Sequence, residues 1–414
     1  FKPIKNLTIG VSGRYSNTEV FGAGANTADD AGSKTESRVR NAIAYTPLEL
    51  LAKDEKQALE DEEAFGSLYD PITAIDDNYK YKTDEKWSIN GYAQYKFFKA
   101  FNFKTSWGYE SSEKITNRYY GNTAYYSREG DGKTGAGGVA GYASTIIKGE
   151  TSTKFQNSNT LTYSQNFKGG HNLNAILGEE TTMRDADTYT QTSFGYDGAS
   201  NGPDVLDGLY SYLGQFTTNY IDPNDNMLSF FAKADYNYKS RYYLNGTFRA
   251  DASTRFANND SIHNQWGYFP SVSVAWRMLD EPWLKDALLA AKVSNLKWRF
   301  SYGVAGNNNV DLGYLYNSYV EKLKQTPASG TYVGSAPYDM DVLANPELKW
   351  ETTITRDLGL DFGFFKDRLS GTVDAYINST KDLIVLTKTG NSQQYQNVGE
   401  TENRGIEFAL TGVI

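Results

Sequence analysis

Leu228-Ser-Phe-Phe-Ala-Lys-Ala-Asp-Tyr-Asn-Tyr238 and, three residues later, Tyr242-Tyr-Leu-Asn-Gly-Thr-Phe-Arg-Ala-Asp251 decide the fold. In the first stretch Leu228, Phe230, Ala232, Ala234, Tyr236 and Tyr238 alternate with Ser229, Phe231, Lys233, Asp235 and Asn237. In the second, Tyr242, Leu244, Phe248 and Ala250 alternate with Asn245, Thr247, Arg249 and Asp251. A period of two residues is that of a β-strand, whose successive side chains point to opposite faces. The short gap Lys239-Ser-Arg241 predicts a hairpin between them. One face carries no charge, whereas the other carries Lys233, Asp235, Arg249 and Asp251.

The same alternation recurs on both sides. Upstream it runs through Leu7–Val11, Trp87–Phe97 and Phe101–Tyr109, then more weakly through 151–164 and 171–181. Downstream it runs through Tyr268–Trp276, Leu296–Tyr302, Ile354–Phe362, Leu369–Ile377 and Ile406–Leu410. About twelve strands follow, several of them longer than the five or six residues usual in globular sheets. Arg356 is the clear charge on the apolar side, and Trp87, Trp107, Trp276, Trp298 and Trp350 all read onto that side.

Periodicity alone does not separate a soluble sandwich from a lipid-facing wall. Connection lengths do. Short connections at 98–100, 165–170, 239–241 and 365–367 alternate with long ones near 17–85, 110–150, 183–226, 305–348 and 385–402, with a medium one at 253–266. Short turns on one rim and long loops on the other are the rule for outer-membrane barrels. The connection at 279–294 departs from it, and Glu281-Pro-Trp-Leu-Lys285 predicts a brief helix at the short-turn rim. The expected fold is therefore all-β, an antiparallel transmembrane β-barrel. Its apolar side faces hydrocarbon, where Lys or Arg at mid-depth costs about 2–4 kcal/mol. Thr46-Pro-Leu-Glu49 has capping-box spacing with Pro at the first helical position, so a loop helix ending in the acidic run Glu60–Glu63 is expected.

Composition bounds the function. The 414 residues carry a net charge of −9, which argues against a nucleic-acid partner. There is no cysteine and there are two histidines, His171 and His263, so disulfides, thiolate zinc sites and His-rich metal centres are excluded. No cofactor is expected. A mean hydropathy of −0.59 and the lack of any run of about 18 apolar residues leave no transmembrane helix, but a barrel hides its apolar face in alternate residues.

The motifs are weak. Gly130-Asp-Gly-Lys-Thr-Gly135 matches a dinucleotide fingerprint by letter, but it sits in a Gly-rich loop without the strand and helix that fingerprint needs. Asp222, Asn224 and Asn226 have the spacing of early calcium-loop ligands, yet Met227 replaces the required glycine and Lys233 the closing glutamate, so a turn is the better reading. Both histidines read as surface residues. A glycosidase needs two carboxylates at a defined separation, and no pair is identifiable. Tyr119, Tyr120, Tyr125 and Tyr126 cluster in one long loop. They are candidate stacking platforms for sugars or peptides, against the alternative that the loop packs on itself. Lys233, Asp235, Arg249 and Asp251 are candidates for contact with a plug or solute, or for pairing with one another across strands.

Four stretches resemble the SusC/RagA family of TonB-dependent outer-membrane transporters: Trp266–Arg277, Leu296–Asn307, Asn345–Glu351 continuing through Leu358-Gly-Leu-Asp-Phe to Lys381–Ile384, and Asn397-Val-Gly with Asn403–Glu407. Tyr243 to Phe256 also resembles it. The resemblance implies a 22-stranded barrel with an N-terminal plug inside it. It also implies a SusD-like surface lipoprotein over the mouth, and a TonB complex that acts through the plug to energise import of oligosaccharides or peptides. The implied setting is the Gram-negative outer membrane of a Bacteroidota-like cell. Long loops are then extracellular, and the bilayer and lipopolysaccharide lie around the wall.

The chain departs from that plan. It has no recognisable plug or TonB box, and it begins at Phe1 and stops at Ile414 within a strand pattern. The expectation is that residues 1–414 are part of one TonB-dependent-receptor barrel domain, with plug and both barrel ends missing. Rival readings are a passive porin and a soluble, secreted β-rich adhesin or glycan-binding module. No residue is expected to perform covalent chemistry.

Overall fold

The computed structural model describes residues 1–21, 78–121, 142–196, 202–207, 211–221, 225–256, 263–309, 342–343, 345, 347–390 and 392–413. The strands are β1 (Leu7–Phe21), β2 (Asn78–Phe97), β3 (Phe101–Tyr120), β4 (Ser144–Phe167), β5 (His171–Phe194), β6 (Gly214–Ile221), β7 (Met227–Tyr238) and β8 (Tyr242–Ser253). They continue with β9 (Trp266–Arg277), β10 (Val293–Asn307), β11 (Val342–Leu343), β12 (Glu351–Phe364), β13 (Leu369–Lys381), β14 (Ile384–Thr389), β15 (Ser392–Asn397) and β16 (Glu400–Gly412). Among the described residues, the α-helices are α1 (Gly202–Leu206) and α2 (Pro282–Ala290).

The wall is one antiparallel sheet in the order β1-β2-β3-β4-β5-β7-β8-β9-β10-β12-β13-β16, with β6 added to the far half of β5. A separate three-stranded sheet, β11-β15-β14, is built from the two connections that flank β12 and β13. Strands that follow in sequence lie side by side and reverse direction each time, so alternate connections fall on the same rim. Turns at 98–100, 168–170, 239–241 and 365–368 and helix α2 share one end. Tight reversal there uses left-handed backbone: Gly169 and Gly170 meet it at φ 85° and 88°, while Lys239 and Ser240 adopt it at φ 51° and 54° despite their Cβ atoms. The helix expected at 279–294 is present as α2, preceded by a 3-10 turn at Met278–Asp280.

Register carries the alternation across the whole wall. One row runs Phe103, Leu161, Leu177, Ala232, Phe248, Pro270. Another runs Leu244, Val274, Phe300, Leu358, Ala375, Ile406. These side chains do not interlock with a second layer: Phe408 is 63% exposed and Trp107 41%. Rings cover glycines in the next strand. The Trp107 indole fills the place a Cβ on its direct partner Gly91 would occupy, which flattens the apolar surface.

Several expectations need correction. The weakly patterned segments 151–164 and 171–181 belong to β4 and β5, the longest strands at 24 residues each. At ~3.3 Å per residue each extends about 80 Å, well past the 9–11 residues that cross a bilayer. Much of 110–150 and 183–226 is therefore strand rather than loop. Outside hydrocarbon nothing enforces alternation, and the apolar-face series turns acidic with Glu85, Glu113, Asp185 and Asp187. Trp350 is not on the lipid side: it is 7% exposed, packed with Phe256, Phe269 and Leu348, and its indole N–H donates to the Gln265 carbonyl at 2.9 Å. Arg356 is not the sole charge on the apolar face. Arg404 stands beyond it in the same row, and Glu179 lies between Leu177 and Met183. The proposed helix at 46–63, the glycine motif at 130–135, and Asp222 and Asn224 lie outside the described residues.

Candidate functional site on the inner wall and mouth

The polar face is held together by ion pairs that register brings into range. On β7, Lys233 Nζ lies 3.2 Å from Asp235 Oδ2, and Asp235 also accepts from Asn245 on β8. On β8 the Arg249 guanidinium donates through Nε to both oxygens of Asp251 at 2.7 and 2.9 Å, and through Nη2 to Ser229 Oγ at 2.8 Å. Its Nη1 lies 3.6 Å from Glu180 Oε2 on β5, and its plane sits 5.6 Å from the centre of the Phe231 ring. The four residues singled out on this face thus form two clusters, each satisfied by neighbours in the wall.

Glu180 links the Arg249 cluster to a concavity of about 410 Å³ on the β1–β5 part of the wall. Asn90, Tyr92, Lys104, Ser106 and Gln156 line it with Glu180. The Lys104 ammonium stands 5.2 Å over the Tyr92 ring, a cation–π geometry that leaves N–H donors for another acceptor. The site therefore offers hydroxyls, amides and charges of both signs, which suits solutes rich in hydrogen-bonding groups. It holds no arrangement of nucleophile and base.

A second network lies across β10, β12 and β13. Arg299 donates to Asp361 through Nε at 3.1 Å and Nη2 at 2.8 Å, and reaches Asp374 at 2.8 Å. Lys297 adds a looser contact to Asp361 at 3.7 Å. Neither Glu180 nor the Arg299 network was singled out from the sequence. The usable signal was there, because each of these residues falls on the polar series of its strand. Pairing them required knowing which strands are neighbours and in what register.

At the long-loop rim, Arg255 grips Asp225 with Nε to Oδ1 at 3.0 Å and Nη2 to Oδ2 at 2.8 Å, and its Nη1 reaches the Asn308 carbonyl at 3.4 Å. This one side chain ties together the connections β5–β7, β8–β9 and β10–β12. The Arg255 hydrogen bonds hold the Asp225 carboxyl below the usual aspartate range, against the opposing effect of burial. Asn226 beside it is fastened to Thr254, its N–H donating to Oγ1 at 2.9 Å and its carbonyl accepting from the Thr254 N–H at 3.0 Å, which continues the β7–β8 pairing by one residue.

Tyr119 and Tyr120 are each 1% exposed. Tyr119 packs with Ala143 and Val205 of α1, with Tyr79, Tyr196 and Leu206 against them, and Arg118 lies 4.6 Å over the Tyr120 ring. Both are strand residues at the end of β3, and Tyr119 is covered mainly by α1 and Tyr196 of the connection after β5. Tyr125 and Tyr126 lie outside the described residues. His171 is at the short-turn rim, its Nδ1 2.6 Å from the Tyr236 hydroxyl.

With this geometry the likeness to known proteins is informative. A family model described as TonB dependent receptor-like, beta-barrel, matches residues 52–413. TonB-dependent receptor P3 of Formosa agariphila is 31% identical over 340 residues, covering 79% of this chain and 30% of that protein. TonB-dependent receptor SusC of Bacteroides thetaiotaomicron is 35% identical over 201 residues, covering 47% of this chain and 19% of its own length. The chain thus spans less than a third of these relatives. Among solved structures, the RagAB peptide importer in its closed-closed state superposes with a TM-score of 0.64 at 22% identity, covering 82% of this chain and 35% of that one. The wall, its lipid-type outer face and its polar inner face are those of an antiparallel transmembrane β-barrel, and the chain belongs to the TonB-dependent receptor-like β-barrel family.

Proposed function

We propose that this chain is the wall of a SusC-like importer in the outer membrane of a Bacteroidota-like cell, taking up oligosaccharides or peptides with energy from a TonB complex. The observation that carries the reading is the pairing of two continuous faces: an apolar belt from β1 to β16, and an inner wall of satisfied charges, amides and hydroxyls around Glu180. RagAB, which the wall resembles in fold, is a peptide importer, and the oligosaccharide class rests on the resemblance of the sequence to the SusC/RagA family. In this reading the long-loop rim is extracellular, a SusD-like lipoprotein covers the mouth, and a plug seated on the inner wall passes the pull of TonB. Lys233, Asp235, Arg249 and Asp251 then serve as wall contacts for the plug. Tyr125 and Tyr126 are the loop rings left for ligand capture, while Tyr119 and Tyr120 are buried at the end of β3.

The test is uptake by cells carrying the full-length protein, fed defined oligosaccharide and peptide mixtures with and without a protonophore. Energised import stops when the proton-motive force collapses. Uptake that continues at the same rate makes the protein a passive channel instead. No uptake of either solute class removes the substrate assignment.

A further inference from the structure

Helix α2 interrupts a rim otherwise made of tight turns, and seven of its nine residues are apolar: Pro282, Trp283, Leu284, Ala287, Leu288, Leu289 and Ala290. Leu284 and Leu288 are half-buried against the wall, but Trp283 is 70% exposed and Leu289 49%. Nine residues this apolar need a cover, and the side from which the helix hangs identifies it.

The residue that caps the start of the helix is Glu281, whose carboxylate is almost fully buried. It accepts from the Trp276 indole at 3.0 Å, from the Tyr242 hydroxyl, and from Arg241 at 3.4 Å. Tyr242 and Trp276 are direct register partners on the apolar face, in line with Leu244 and Val274. The N-cap of α2 is thus fastened to the lipid side of the wall, away from the inner face. Its far end is tied as well, since the Phe365 N–H donates to the Lys292 carbonyl at 2.8 Å.

The rim around it has matching chemistry. Phe98 and Phe365 at the turns are 85% and 56% exposed, and Phe167 stands at the end of β4. Each of the four tight turns also carries a lysine: Lys99, Lys168, Lys239 and Lys366, while Lys292 closes α2. In a chain of net charge −9 this rim is locally basic. Aromatic rings beside lysines are the composition that settles at the boundary between acyl chains and phosphate headgroups.

We propose that α2 is an in-plane anchor, lying in the headgroup layer of the periplasmic leaflet with Trp283 and Leu289 inserted among anionic phospholipids. It rests on the reading of the apolar belt as lipid-facing. The helix pins the depth of the β9–β10 edge while the inner wall is left free for transport.

This chain contributes no cysteine of its own, and any cysteine elsewhere in the full-length protein is first replaced by serine. Single variants Trp283→Cys, Leu289→Cys and, in the belt, Leu244→Cys are made in the full-length protein and labelled with an environment-sensitive dye. Each is reconstituted in vesicles of phosphatidylglycerol with phosphatidylcholine, or of phosphatidylcholine alone. The expected result is several-fold stronger quenching of the 283 and 289 dyes by a nitroxide near the headgroup than by aqueous iodide, greater with phosphatidylglycerol and reduced by Lys292→Gln with Lys366→Gln. Iodide quenching of both helix dyes while the 244 dye answers only to lipid nitroxide overturns the anchor and spares the belt. Helix dyes shielded from both quenchers mean a protein cover and also overturn it. Equal behaviour in both lipids removes the anionic preference. A 244 dye that ignores lipid nitroxide sinks the belt reading itself.

Discussion

Arg299 on β10 bonds Asp374 on β13, Nη2 to Oδ1 at 2.8 Å, across the full width of the strand between them. Gly359 on β12 makes this reach possible. A Cβ there would meet the Asp374 carboxylate and stand 2.7 Å from Arg299 Nη2. Gly359→Ala should therefore break the bridge without removing either charge, and cost about 1.5–3 kcal/mol, the range for hydrogen bonds to charged groups. Urea unfolding of the vesicle-reconstituted full-length protein, followed by tryptophan fluorescence, measures it. An unchanged midpoint would mean that the bridge contributes nothing to the wall.

The two faces should respond oppositely to the same new charge. Leu358→Arg places a guanidinium in the row of Phe300, Ala375 and Ile406, and should destabilise by about 2–4 kcal/mol in a bilayer. Ser301→Arg sets the same group on the inner wall opposite Asp357 and should be close to neutral. Equal losses from both variants in the same unfolding assay would contradict the assignment of faces.

Glu179 is, with Arg356 and Arg404, one of the charges on the apolar face. Its oxygens accept from Asn159 at 2.8 Å and Thr181 at 2.9 Å, so its hydrogen bonds are met, but its neighbours in the apolar series include Leu177 and Met183. Glu179→Gln keeps an acceptor and removes the charge. It should raise stability in a bilayer by about 1 kcal/mol or more, since carboxylates on a lipid face cost less than Lys or Arg but still cost. A loss of stability would show that the charge has a partner at this patch.

The Asp225–Arg255 clamp predicts an acid-sensitive mouth. The folded carboxyl titrates below its unfolded value of about 3.9. Its contribution is therefore complete above that value and disappears as pH falls through the lower, folded one. Limited proteolysis near 225, 255 and 308 should be slow from neutral pH down to about pH 4 and accelerate below it. Asp225→Asn should give the fast pattern already at neutral pH. Cleavage rates in the variant that match the parent would remove the clamp.

The alternating sequence by itself determined which side of each ribbon is greasy, because the pleat is a local property that every strand expresses alone. It also determined the short connections at 98–100, 165–170, 239–241 and 365–367, where strand patterns nearly touch. Tertiary structure alone decided how far β3, β4 and β5 run past the hydrocarbon, since outside lipid nothing penalises a polar residue on either face. It also decided that Trp350 and Tyr119 are packed rather than presented, and that Arg249 finds Glu180 while Arg299 crosses Gly359 to Asp374. Those partners are distant in sequence, and only the register of neighbouring strands brings a guanidinium within hydrogen-bond reach of one carboxylate rather than another.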